Sequence, residues 1–205
     1  MSIRSVSDGV ALAFVALIVT TRPANALLVS LDRADIRRAL ELAQWPRTDQ
    51  DRARFHAPYL VRVNGRPVRQ ASVDSIETIT EFRRMVLIAE EHARMNDTFA
   101  RGGRIQEAEQ ALERYRGRVS IVAHLRFGPL VPRVPDVDVG FVDPNAPRPV
   151  DVRRAPIYSV DGTLIGADIE AVFTSASVGQ TTHTLVARVG DEELARVTIN
   201  FRTLD

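Results

Sequence analysis

The chain has 205 residues, 45% of them hydrophobic, with 27 basic residues against 26 acidic ones and no cysteine. That excludes wholesale disorder, disulfides, thiolate metal sites and a cysteine nucleophile. Every basic residue is arginine, and the arginines are interspersed with acids along the chain, so there is no concentrated positive field to gather nucleic acid or anionic lipid.

Residues 1–26 read as a secretory signal peptide. Arg4 supplies positive charge, Val10–Val19 is a continuous apolar run, and Ala24-Asn25-Ala26 gives the small-x-small pattern of a cleavage site. Ten apolar residues are too few for a span of ~20. Cleavage near Ala26 would place the remainder outside the cytoplasm, in a periplasm or fully secreted. Without Arg4, Arg22 and Asp8, the remainder carries 25 basic and 25 acidic residues.

Residues 27–117 read as a helical region with a short β-hairpin. A first helix is expected over 31–45, with Ile36, Ala39, Leu40 and Ala43 on one stripe, Asp32 as N-cap and Pro46 as the stop. Residues 57–63 look extended. Asn64-Gly65 suits a tight turn, and 68–73 is the expected return strand, placed at an edge by Pro67. The spacing of Ile79, Phe82, Val86, Ala89 and Ala93 predicts a long helix over 75–98, with Arg83, Glu90 and Arg94 on another face. A third helix is expected over 104–116, ended by Gly117.

From 118 to 205 the apolar period changes from 3.6 to 2. Alternation marks strands at 119–127, 137–141, 165–174 and 197–201. A final hairpin is expected to join 184–189 to 194–201 through Gly190–Glu193, and a short strand fits near 157–160. Each strand has one apolar and one polar face, as in an antiparallel sheet covered on one side. Two proline-rich stretches, 128–135 and 143–156, are expected to stay out of the sheet as surface loops. The fold class is therefore α+β, with N-terminal helices covering one face of a mostly antiparallel C-terminal sheet. The alternative is a small helical domain followed by a separate β-sandwich.

Catalytic motifs are missing from the sequence. There is no HExxH, GxSxG, GxGxxG or Walker pattern, and the four histidines, His56, His92, His124 and His183, share no zinc-ligand spacing. Neither a catalytic group nor a cofactor is expected. Glu90-Glu91-His92 reads as a solvated helix flank. The pairs Asp136/Asp138 and Asp168/Glu170 read as solvent faces of strands, balanced across the sheet by Arg126, Arg188 and Arg196. Trp45, Phe55, His56 and Tyr59 read as a hydrophobic seam between a helix and the following strand. One metal candidate remains: Asp136, Asp138, Asp143 and Asn145, hard oxygen ligands close in sequence, would suit a weak calcium site.

The leading functional expectation is a non-catalytic extracytoplasmic module that binds a protein or envelope component through its proline-rich loops. The first alternative is a hydrolase assembled only in the fold, using His124 or His183 with a nearby acid. The second is an assembly protein that pairs through an open sheet edge.

Overall fold

The structure is a computed structural model that describes residues 30–43, 48–63, 67–95, 104–129, 131–143 and 145–204. The expected leader, Trp45, Pro46, the Asn64-Gly65 turn and Gly102-Gly103 lie outside the described residues. Among the described residues, no helix is long and apolar enough to cross a membrane.

Helix α1 spans Arg33–Leu42, and Asp32 caps it as expected, accepting from the Ala34 and Asp35 amides while Asp35 reaches back to the Asp32 amide. Helix α2, Asp49–His56, was not anticipated, because it has no apolar stripe. Its sequence signal is the N-cap, where the Thr48 hydroxyl accepts from the Asp51 amide. A single 3-10 turn, Ala57–Tyr59, leads into strand β1, Leu60–Arg62, so only the end of the expected strand is extended.

The largest correction concerns the long helix. Residues 75–79 belong to strand β2, Ala71–Ile79, and helix α3 is only Glu81–Arg94. A β-bulge between Val73 and Ser75 breaks the period-2 pattern. Ile79, at the end of the strand, lies three residues before Phe82 and so mimics a helical stripe. Thr80 makes the boundary, its hydroxyl accepting from the Arg83 amide. Phe82, Met85, Val86 and Ala89 are then fully buried. Helix α4 spans Ile105–Leu112 and runs through a 3-10 turn to Gly117, whose φ of +64° suits glycine.

Strand β3 (Arg118–Phe127) follows the expected alternation, with Val119, Ile121, Ala123, Leu125 and Phe127 all buried. Strand β4 is Val137–Phe141. The second proline-rich stretch does not stay out of the sheet: Asp151–Tyr158 forms strand β5 with Pro156 inside it. Proline is tolerated there because β5 is an edge. Strand β6 is Leu164–Thr174, followed by the single turn α5, Ser175–Val178. Ile165, expected on the apolar face, is exposed, because the register between β5 and β6 shifts at Ile157/Tyr158. Gly166 is required where it stands: a Cβ would lie 2.4 Å from the Leu125 carbonyl oxygen. Strands β7 (Thr182–Val189) and β8 (Glu192–Asn200) form the final hairpin through Gly190-Asp191, two residues tighter than expected.

These strands make two antiparallel sheets, ordered β1-β2-β3-β6-β5 and β4-β7-β8. The α+β class holds: N-terminal helices precede a large antiparallel sheet and cover one of its faces, where α3 bonds to β3 and β6. The three-stranded sheet packs on the other face, and one apolar cluster joins Ile76, Ile121, Ile169 and Phe173 to Val139, Leu185 and Ile199. The helices have their own apolar cluster, built from Ile36, Leu40, Phe82, Val86 and Leu112. Phe55 packs against both clusters.

Candidate functional site

The face of the five-stranded sheet beneath the helices is largely polar. Asp168 on β6, His124 on β3, Glu77 on β2, Arg83 and Glu90 on α3, and His56 on α2 form one continuous chain of charged contacts. His124 Nδ1 lies 2.7 Å from Asp168 and its Nε2 3.0 Å from Glu77. Carboxylates only accept, so both ring nitrogens donate and the ring is held as an imidazolium. The hydrogen bond to Glu77 raises the His124 pKa, and Asp168 adds to this against the effect of burial. Burial pushes Glu77 up, but the His124 bond and the Arg83 charge outweigh it and hold its carboxyl below the usual range.

Arg83 is almost fully buried. It donates to the Thr78 carbonyl at 2.6 Å, to His56 Nδ1 at 3.3 Å and to Glu77, with the Tyr59 ring 4.9 Å from its guanidinium carbon. An arginine can only donate, so His56 accepts at Nδ1 and carries its proton on Nε2, which donates to Glu90 at 3.1 Å. Burial raises the Glu90 pKa, and the His56 bond with the Arg52 and Arg94 charges reverses the sign. The other Glu90 oxygen has no hydrogen bond among the described residues. Beside this chain, Arg84 donates to Ser120 at 3.1 Å and to Glu170 at 3.0 Å.

Three sequence expectations are corrected here. Glu90 does not lie on a solvated flank; it is buried, as is Arg83. Asp168 and Glu170 do share a face, but they are half-buried and engage His124 and Arg84. Of the expected arginines, Arg188 does stand opposite Asp138 across the sheet, whereas Arg126 pairs with Asp74 and Arg196 with Glu193. The network's chemistry is that of a clamp. A general base needs an imidazole lone pair facing a nucleophile, and His124 spends both nitrogens on carboxylates. His183 is engaged through one nitrogen, its Nε2 lying 3.0 Å from the Val178 carbonyl and 2.7 Å from the Thr181 hydroxyl, with its ring against Phe141. A hollow of about 330 Å³ beside it brings in Asp143, which accepts from the Asn145 amide.

The calcium candidates are not brought together. Asp136 pairs with Arg154 on β5, Asp138 sits opposite Arg188 in the β4–β7 register, and Asp143 closes a local turn with Asn145. Among the described residues, no group of three or more acidic or histidine side chains is placed to hold a metal.

The concave feature of interest lies at one end of the sandwich. Residues 131–136, at the end of the first proline-rich stretch, the turn Val68–Ala71 and the β7–β8 turn at Val189-Gly190 line an open hollow of about 930 Å³. Its walls include Val68, Val131 and Val134, which pack onto the sandwich core. Arg69, Arg133, Arg154 and Asp136 stand around it. Arg69 pairs with Glu192 and Arg154 with Asp136; Arg133 makes no ion pair among the described residues. The turn at Val68–Ala71 is closed by both backbone hydrogen bonds, each 2.8 Å, and holds Arg69 at φ 49° and Gln70 at φ 64°. Two non-glycine residues in the left-handed region cost on the order of 1–3 kcal/mol each, and such strain collects at functional sites.

The third feature is the edge strand β5. Residues 152–158 are all exposed, so β5 is covered on neither face. Val150, Val152, Ile157 and Tyr158 add exposed apolar surface along it. Arg153, Arg154 and Pro156 are residues that blunt an edge against indiscriminate pairing.

No protein-family model matches this chain, and no curated protein matches it either.

Proposed function

We propose that the chain is an exported binding module whose binding site is the hollow under the proline-rich loop 131–136. The observation that carries this reading is the hollow itself: about 930 Å³, walled by valines and prolines continuous with the core, and rimmed by a strained turn. Ligand pockets commonly measure ~300–1,000 Å³ with apolar walls and a few polar groups. The charged chain beneath the helices then serves as the scaffold that fixes the sandwich to its helical layer. Export rests on the expected leader and predicts a secreted form beginning at Leu27, which intact-mass analysis reads directly.

The test uses the neutral apolar fluorophore N-phenyl-1-naphthylamine. Saturable binding at one site per chain, lost in Val134→Asp and Val131→Glu variants that melt as the parent does, is the expected result. Unchanged binding in both folded variants would refute the assignment.

The exposed β5 edge favours a second reading, assembly by strand pairing. It predicts a concentration-dependent dimer in sedimentation velocity that a second proline at Arg154 abolishes.

A further inference from the structure

Resting on the hollow as the binding site, we infer that its ligand is an acyl carboxylate: a saturated apolar chain ending in one carboxylate. Charge complementarity fixes the head group. Of the three guanidinium groups around the hollow, Arg69 is neutralised by Glu192 and Arg154 by Asp136, which leaves Arg133 as the uncompensated charge among the described residues. One free guanidinium matches one carboxylate through its planar pair of donors. A dianionic phosphate ester would leave a charge unmatched. The walls fix the tail. Val68, Val131, Val134 and Val189 with Pro132 and Pro135 present aliphatic surface and no aromatic ring, so an aryl ligand gains no stacking there. A bound peptide needs main-chain partners, and Pro132 and Pro135 have no amide hydrogen to give one.

The experiment is competition against N-phenyl-1-naphthylamine by decanoate and by decanol, which share a tail and differ in the head group. The parent should bind decanoate about threefold to fivefold more tightly than decanol, the discrimination an exposed charge pair supplies. Arg133→Gln should bring decanoate down to the level of decanol and leave decanol unchanged. Because Arg133 is exposed, the variant should fold, and equal decanol binding confirms that it has. Equal competition by decanoate and decanol in the parent would overturn the carboxylate assignment while leaving the binding site intact. So would stronger competition by an apolar tetrapeptide blocked at its carboxyl end, which would indicate a peptide groove. Failure of both the fluorophore and decanoate to bind, the latter read by calorimetry, would instead remove the site.

Discussion

Replacing Arg83 by methionine tests the clamp between helices and sheet. The substitution keeps the apolar stem against Tyr59 and removes the guanidinium that bonds to Glu77, the Thr78 carbonyl and His56. The Arg83 side chain is 4% exposed and that of Glu77 19%, so little water can enter to replace the lost contacts. Removing one partner of such a buried pair costs about 3–5 kcal/mol, and the bond that Glu77 keeps to His124 places the loss toward the lower end. At ~2–4 °C per kcal/mol for a chain of this size, the melting temperature should fall by roughly 6–20 °C. Urea and thermal melts at pH 7 read the loss. The double variant Glu77→Gln/Arg83→Met should lose less than the sum of the two single variants, since each single variant already breaks the Glu77–Arg83 bond. A single variant within about 1 kcal/mol of the parent, with additive behaviour in the double, would refute the clamp.

The same network predicts a pH window. His124 has a raised pKa, so its contribution is complete below its ordinary 6.5 and is lost as pH rises through the folded value. Glu77 and Glu90 have lowered values, so theirs is present above the ordinary 4.5 and lost as pH falls through the folded values. Urea midpoints should therefore peak between about 4.5 and 6.5, and His124→Asn should flatten the alkaline decline; an unchanged decline in that variant contradicts the assignment. Phe82→Ala, at a fully buried position in the helical cluster, should cost on the order of 3–5 kcal/mol, and a melt within a degree of the parent would show that the cluster is misassigned. Arg69→Gly trades an exposed ion pair worth ~0–1 kcal/mol for relief of the positive φ, so its melt should match or exceed the parent's; a loss of several degrees would mean the turn is unstrained. A melt in chelator should match one in buffer, since Asp136, Asp138 and Asp143 are dispersed; unfolding on chelation would restore them as a metal site.

Much of the fold was legible in the sequence where an element buries one face along its whole length. Strand β3 has one apolar face against the sandwich core, so its alternation could be read from Val119 to Phe127. The α1 cap could be read because its signal is local. The β2–α3 boundary was not legible, because the bulge at Val73/Ser75 shifts the phase of the strand just where Ile79 continues the helical spacing. Strand β5 was hidden for another reason: an edge exposed on both faces has no apolar period, and Pro156 reads as a loop signal.

The polar network was legible only as residue types. His56 lies 34 positions from Glu90 and His124 44 from Asp168, and a charge on a helix ordinarily points to solvent. Nothing local distinguishes Arg83 from a surface arginine. The proline-rich stretch at 128–135 was legible as a surface loop outside the sheet. The walls opposite it, Val68–Ala71 and Val189-Gly190, were not legible as such, because strand pairing alone brings those turns to the same end of the sandwich.

The most direct measurement is amide chemical-shift mapping of the labelled protein on titration with decanoate. If the hollow is the binding site, the largest shifts fall at Val68–Ala71, at the non-proline residues of Val131–Asp136 and at Val189-Gly190. Shifts concentrated instead at Phe141, His183 and Thr184, or at Ile157 and Tyr158 of β5, would contradict it.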